Sequence, residues 1–254
     1  MTAWYEQSFG CEYLELYAHR DAAEARADIE AVVRLLDPPK EEPLLDLCCG
    51  ACRHILVLRE MGFKQLVGLD LSEALLQVGA AELQECADVE ELDEDAICLV
   101  HSDMRRIPYE GYFATVLSLF TSFGYFERDQ ENASVFDAVY RALKPGGQFL
   151  IDYLNREYVV ANLVEQDEHY VADKHVVHVR RLTDDGQRVT KRTIVTWPSG
   201  ETREYYESVR MYSEPEMVEM LRGAGLSEIR TYGSLDKEAL DPESKRLIAV
   251  CSKA

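Results

Sequence analysis

No run of apolar residues in this chain approaches the ~20 that a membrane-spanning helix needs, so no membrane association is expected. The opening stretch MTAWYEQSFGCEYLELYAHRD lacks the basic-then-apolar order of a secretion signal, which points to the cytoplasm. Positive charge is also scarce: 27 Lys and Arg stand against 47 Asp and Glu. They form no basic stripe for phosphates, which excludes nucleic acid as an expected partner, and the acidic excess reads as solubility. The seven cysteines are an odd number without a secretion signal, a combination that fits reduced thiols. Cys11, Cys86, Cys98 and Cys251 are scattered among apolar or helical neighbours and read as small core residues. Internal repeats and low-complexity linkers are absent.

What is present is an alternation of two periods. Apolar positions at Ala25, Ile29, Val32, Val33 and Leu36 predict a helix over Asp21–Leu36, stopped by Asp37-Pro38-Pro39. Leu44–Cys48 is then a short strand, Cys52–Met61 a helix closed by Gly62, and Gln65–Asp70 a second strand. Ser72 caps a helix over Glu73–Ala87. Strands follow at Ala96–His101 and Phe113–Phe120, then a helix at Gln130–Leu143, ended by Lys144-Pro145-Gly146-Gly147, and a strand at Gln148–Tyr153. Strand and helix in turn predict a mostly parallel sheet with helices on both faces. After Asn155 the texture changes. His169–Leu182, Arg188–Trp197 and Thr202–Tyr212, separated by Asp184-Asp185-Gly186 and Pro198-Ser199-Gly200, read as an antiparallel meander. A helix at Glu214–Gly223 and strands at Ser227–Tyr232 and Lys245–Ser252 resume the core.

Glycine is scarce where such a chain most needs it. In LLDLCCGACRHILVLREMGF, Leu44 to Phe63, a strand runs through a cluster of small residues into a helix, but Gly50 stands alone among Cys48, Cys49 and Cys52. In a doubly wound sheet ligands bind beyond the carboxyl ends of the strands. The loop after the first strand arrives there, and the next helix aims its N-terminus at the ligand. Asp70, about 20 positions on, fits an acid that accepts bonds from ribose hydroxyls. Asp103, after the third strand, can hold an adenine amino group between the apolar faces of Leu71 and Met104. Cys49 and Cys52 also have C-x-x-C spacing with His54 near, so a metal or redox site is a rival. It lacks the second ligand pair of a structural zinc site. A thiol at that helix start is also a candidate for ready oxidation that would block the loop.

In LLDLCCGACRH, VGLDLSEALLQ, HSDMRRIPYEGYFATVLSLFTSFGYF and RALKPGGQFLIDYLN the chain resembles the class I S-adenosylmethionine-dependent methyltransferases. SVRMYSEPEMVEMLRGAGL and the C-terminal SKRLIAVCSK add a looser likeness to their small-molecule branch, the sugar-amine and glycine N-methyltransferases. The resemblance implies a doubly wound, mostly parallel, seven-stranded Rossmann-like α/β sheet with an inserted antiparallel β-sheet. It divides the chain into lid helices and cofactor core (1–155), an inserted sheet over the active site (156–212) and a C-terminal completion of the core (213–254). It implies S-adenosyl-L-methionine as cofactor. Asp46, Cys48 and Gly50 shape the loop around its methionine part, Asp70 and Leu71 hold the ribose side, Asp103 and Met104 the adenine, and Leu119 lies alongside. In an N-terminal lid with Tyr13, Tyr17 would face the cofactor and Arg20 would pair with its carboxylate. Cys48 and Cys52 stand where the family loop carries glycines, a departure that bears on affinity because a Cβ restricts positive φ.

The implied reaction is methyl transfer to a nitrogen or oxygen of a small molecule. The alternatives are a silent cofactor-binding protein and, less well supported by a one-glycine loop, a nicotinamide-dependent oxidoreductase. Candidates for catalysis sit where strand ends and the inserted sheet should meet: Tyr153, Asn155 and Arg210, with His19 in the lid as a base and Tyr125 after the fourth strand as a further aromatic. Tyr212 and Tyr232 read as core or interface residues. His175 and His178 fall on opposite faces of a strand, which argues against a metal pair. The arginines of the inserted sheet read as partners of Glu201, Glu204 and Glu207 more than as an anion site. The sheet also offers a face for a homodimer.

Overall fold

Strands β1 (Leu44–Leu47), β2 (Leu66–Asp70) and β4 (Phe113–Ser118) are apolar at almost every position and buried along nearly their whole length. That pattern belongs to central strands covered on both faces. In the computed structural model, which describes residues 3–16, 22–87 and 97–254, these strands form the middle of a seven-stranded sheet. Its order is β10-β11-β5-β4-β1-β2-β3, with β3 (Ile97–His101), β5 (Leu143–Leu154), β10 (Leu226–Tyr232) and β11 (Arg246–Lys253). Pairings from β3 through β5 are parallel, and β11 is antiparallel to both β5 and β10. The chain leaves β1 in one direction toward β2 and β3, then returns to the other side for β4. The strand order therefore reverses between β1 and β4, where a crevice must open.

The helices behave as their apolar spacing requires. In α3 (Ala22–Leu36) the buried positions include Ala25, Ile29, Val32 and Leu36, one stripe of a 3.6-residue period. It packs on α4 (Arg53–Glu60), which buries His54, Ile55, Val57 and Leu58. Ser72 caps α5 (Glu73–Ala87) by accepting from the Leu75 N–H at 3.2 Å. On the other face α6 (Asp129–Ala142) buries Val135, Phe136 and Val139. Two short helices, α1 (Trp4–Ser8) and α2 (Cys11–Leu16), precede the core, and α7 (Arg156–Ala161) follows β5 with Asn155 as its N-cap.

Three elements differ from expectation. β5 begins at Leu143, paired with Phe113, so the Lys144-Pro145-Gly146-Gly147 turn is an irregularity inside a strand rather than a boundary before one. Gly147 has no room for a Cβ: it would lie 2.9 Å from the carbonyl oxygens of Lys144 and Phe113. Second, His169–Leu182 is not one strand. It divides into β6 (Gln166–Val171) and β7 (Lys174–Leu182), hinged at Ala172, whose φ is 52°. No glycine or proline marks that turn. With β8 (Arg188–Thr196) and β9 (Thr202–Arg210) they form a separate four-stranded antiparallel sheet, β6-β7-β8-β9. Third, α7 lies in a stretch for which no helix was expected. The chain then passes through α8 (Glu214–Gly223) into β10 and β11.

The small sheet is locked to the core through backbone carbonyls. Half-buried Arg188 donates to the Gly124, Tyr125 and Phe126 oxygens at 3.2, 3.3 and 3.1 Å, and to Ser208. The Tyr153 hydroxyl donates to the Arg210 carbonyl. A Cβ at Gly124 would stand 2.7 Å from that same carbonyl oxygen and 2.9 Å from the Tyr153 hydroxyl, so only glycine fits this joint. Across the sheet face, Arg192 pairs with Glu204, Arg203 with Glu201 and Lys191 with Glu207. The arginine-rich surface is largely an alternation of opposite charges. Among the described residues no helix is long and apolar enough to cross a membrane.

Candidate active site

At the strand-order reversal lies a cavity of about 820 Å³, near the upper end of the ~300–1,000 Å³ range of small-molecule sites. Its floor is the loop between β1 and α4. Asp46 is buried near the end of β1, Cys48 and Cys49 both donate backbone N–H groups to the Leu69 carbonyl, and Gly50 donates to the Asp70 carboxylate at 2.8 Å. Asp70 also accepts from the Ser72 N–H at 2.8 Å. Burial raises the Asp70 pKa while these backbone donors pull it down. Asp103, Met104, Leu71 and Leu119 line the same cavity, so the structure brings together the residues expected to hold a cofactor in the core. Asp103 is bridged by Arg105 through both carboxylate oxygens, which favours its ionised form against burial.

The missing glycines have a conformational answer. Cys48 and Cys52 adopt φ values of 67° and 65°, and Gly50 a φ of 54°. The loop keeps the left-handed geometry favoured by glycine at the two cysteine positions too, at roughly 1–2 kcal/mol for each. The thiols repay part of that strain by packing. A Cβ added at Gly79 of α5 would stand 2.5 Å from the Cys52 Sγ, and one at Gly68 of β2 would stand 2.8 Å from the Cys49 Sγ. Each thiol thus fills a notch that a glycine opens. The Gly79→Ala variant should lose about 1–3 kcal/mol by overpacking, despite the ~1 kcal/mol that alanine gains in a helix. The double variant with Cys52→Gly should recover part of the loss. Urea unfolding of the four proteins checks this, and a Gly79→Ala protein more stable than its parent would show the notch is not filled.

The same contacts bring two of the loop thiols together. Cys49 and Cys52 lie 4.0 Å apart, sulfur to sulfur, and both are buried. The hydrogen bond between them and then burial hold the Cys49 thiol well above its ordinary pKa. Among the described residues, the groups whose ligand atoms converge as a metal site would require lie elsewhere, in the small sheet.

Beneath the loop sits an unusual pair. Asp46 and His54 are both buried, with Oδ2 and Nδ1 3.9 Å apart. Among the described residues, neither the Asp46 Oδ2 nor the His54 Nε2 has a hydrogen-bond partner. Burial, then the Asp70 charge, raises the Asp46 pKa to about 7. Burial and the nearby Arg53 and Arg246 charges lower His54 to about 3. Between about pH 4 and pH 7 the folded protein holds a proton at Asp46 that the unfolded chain has lost, so this group makes stability fall as pH rises. Asp46→Asn removes that term. Measured against the parent by urea unfolding, its stability should rise across that window by a few kcal/mol and be flat above it. A constant difference would mean Asp46 is ionised throughout.

The remaining walls come from α1, α2 and the segment after β4. Tyr5, Phe9 and Leu14 line the cavity with Phe120, Tyr125 and Phe126. Tyr125 stacks on Phe9 at 5.7 Å and meets Trp4 edge-on at 5.0 Å. Phe120 and its neighbour Thr121 both have positive φ, 60° and 56°. This strained corner is held by Asp152, whose Oδ2 accepts from the Phe120 N–H at 2.8 Å and whose carbonyl accepts from Thr121. Arg246 clamps Asp152, and the Arg53 guanidinium lies 4.1 Å from the Phe120 ring centre.

Several expected positions fall elsewhere. Tyr153, Asn155 and Arg210 do not line the cavity. Tyr153 is fully buried, and its hydroxyl is committed to the sheet joint. Asn155 caps α7 and donates to the Asp241 and Ser244 carbonyls. Arg210 is buried against Glu216 and Asp129. All three are scaffold, because the carboxyl end of β5 is covered by the small sheet and the segment before β11. Tyr17, His19 and Arg20 lie outside the described residues, as does the side chain of Tyr13. No described residue of the small sheet lines the cavity. The sheet meets α1 and α2 instead: Ser8 donates to the Tyr206 carbonyl at 2.8 Å, and Glu12 accepts from Tyr205 and pairs with Arg203. Arg53, Phe120 and the α1 aromatics were not singled out by sequence, although the LSLFTSFGYF segment carries Phe120, Tyr125 and Phe126 of the wall.

Asp46 and Asp70 suit a cationic nucleoside, and the bare face of Gly50, whose nearest neighbour to a Cβ would be Leu75 at 3.9 Å, leaves room for it. Residues 44–147 match the methyltransferase domain family, and the fold is that of the class I methyltransferases that use S-adenosylmethionine. Over 255 residues it is 24% identical to YqeM of Bacillus subtilis, which carries a methyltransferase name, covering 98% of this chain and 97% of that one. A dTDP-3-amino-3,4,6-trideoxy-alpha-D-glucopyranose N,N-dimethyltransferase of Streptomyces venezuelae is 28% identical over 133 residues, 52% of this chain and 51% of its own length. The structure of the sugar N-methyltransferase KedS8 from Streptoalloteichus sp ATCC 53650 superposes with a TM-score of 0.70 at 22% identity, over 100% of this chain and 97% of that one. The silent-binder and nicotinamide alternatives gain no support.

Proposed function

We propose that this methyltransferase acts on an amine nitrogen of a small molecule. The observation that carries the reading is the aromatic wall of Tyr5, Phe9, Phe120 and Tyr125, whose ring faces suit the positive charge that forms on an alkylated nitrogen. Among the described lining residues the one histidine is His54, whose pKa of about 3 makes it a poor proton acceptor. Methylating an alcohol calls for a base beside the hydroxyl, whereas a neutral amine already carries its lone pair. The amino-sugar N-methyltransferases among the relatives support the same choice.

Bound S-adenosylmethionine supplies an electrophilic methyl group on a sulfonium. Asp70 would accept from both ribose hydroxyls, and Asp103 would hold the adenine amino group, with Leu71 and Met104 supplying apolar surface beside it. Asp46, Cys48 and Gly50 wrap the methionine portion. Arg53, at the start of α4, supplies a guanidinium to the cofactor carboxylate in addition to Arg20. Tyr5, Phe9, Phe120 and Tyr125 exclude water, align the acceptor and present aromatic faces to positive charge. The alkylated ammonium carries its own proton out of the site, so transfer itself requires no protein base. The small sheet holds α1 and α2 over the cavity and thereby covers the site indirectly.

The test is transfer of labelled methyl to a panel of matched compounds, each amine paired with its hydroxyl counterpart and including amino sugars. Label should enter the amines. Transfer confined to hydroxyl compounds or to macromolecules would overturn the reading.

A further inference from the structure

On β6 and β7 of the small sheet, Asp167, His169 and His178 converge: one ligand atom from each lies within 4.8 Å of the other two. The register explains why. Asp167 is directly opposite His178 in the β6–β7 pairing, and His169, two residues along β6, projects from the same face. His169 and His178 have ring centres 5.2 Å apart. The expectation that the histidines of this region form no metal pair considered His175 and His178, on opposite faces of one strand. The turn at Ala172 brings His169 back across β7 instead.

We propose that Asp167, His169 and His178 bind a borderline divalent transition-metal ion, zinc foremost, at a site separate from the methyl-transfer cavity. Two imidazoles and a carboxylate suit zinc, with water as the fourth ligand, better than they suit magnesium or calcium. Support from behind is already built. His178 is buried, and its Nδ1 lies 3.0 Å from the Thr193 hydroxyl on β8. With Nδ1 donating there, Nε2 keeps its lone pair for the ion, as outer partners of metal-bound histidines commonly arrange. Arg180 pairs with the Asp167 Oδ1, orienting the carboxylate. Bonds of about 2.0–2.2 Å place tetrahedral ligand atoms about 3.3–3.6 Å apart, a closure that side-chain rotation supplies. Arg180 and Lys191 bring positive charge to the same face, with Lys191 held by Glu207. They limit affinity without occupying the histidines. The bound ion would staple β6, the edge strand, to β7.

The experiment is titration of the full chain with cobalt(II), followed by displacement with zinc(II), read by visible absorption. One saturating equivalent should appear without a thiolate-to-cobalt charge-transfer band. Both His169→Ala and His178→Ala should abolish it, and Thr193→Val should weaken it about tenfold. His169 is exposed, so its variant keeps the test valid if His178→Ala does not fold. Absence of saturable binding, a charge-transfer band from the cysteines, or binding unchanged in His169→Ala would overturn the site.

Discussion

Asp70→Ala should reduce affinity for S-adenosylhomocysteine by at least about a hundredfold while the protein remains folded. Two hydrogen bonds from ribose hydroxyls to a carboxylate at about 1.5–3 kcal/mol each set that scale. The same carboxylate holds the Gly50 and Ser72 N–H groups, so its removal also loosens the loop that must meet the methionine portion. Asp70 lies at the tip of β2, and its loss leaves no cavity in either hydrophobic cluster, so the unfolding midpoint should change little. Isothermal titration with circular dichroism separates the two effects. Retained affinity in a folded Asp70→Ala protein would mean that the ribose lies elsewhere.

Arg246→Ala should have the largest effect on stability, a loss of about 3–5 kcal/mol. The guanidinium makes a two-pronged contact with Asp152, whose side chain is 1% exposed, and lies 3.5 Å from Asp28. Removing it strands a buried carboxylate. Because Asp152 also pins the left-handed corner at Phe120 and Thr121, the cavity wall should soften and cofactor affinity should fall with stability. The comparison variant is Arg246→Met with Asp152→Asn, which removes both charges. It should be clearly more stable than Arg246→Ala. Equal destabilisation of the two would show that packing, not the stranded charge, sets the cost.

That ion pair marks where sequence reading stops. Asp152 and Arg246 are 94 residues apart in the chain, and nothing local to either reveals the other. By contrast, the acids at the tips of β1, β2 and β3 were legible because their position follows from local period and strand–helix alternation. Tyr153, Asn155 and Arg210, expected beside the substrate, lie away from the cavity for a related reason. Tyr153 and Asn155 do leave the carboxyl end of β5, as the alternation requires, but the small sheet and the 241–244 segment close over that end. Which strand ends stay open depends on where an insertion folds back, a long-range property. The β6–β7 hairpin was missed because Ala172 takes positive φ without a turn residue to announce it. At the cofactor loop the sequence posed the right question. Only the structure shows that the Cys52 thiol packs where Gly79 lacks a side chain, and the Cys49 thiol beside Gly68.

The most direct measurement is a crystal structure of the protein with S-adenosylhomocysteine. It should show the ribose hydroxyls on Asp70, the adenine between Leu71 and Met104 with its amino group at Asp103, and the sulfur facing the Phe120–Tyr125 wall. A nucleoside bound outside this cavity, or turned so that its adenine lies against the Cys48–Gly50 loop, would contradict the assignment of the site.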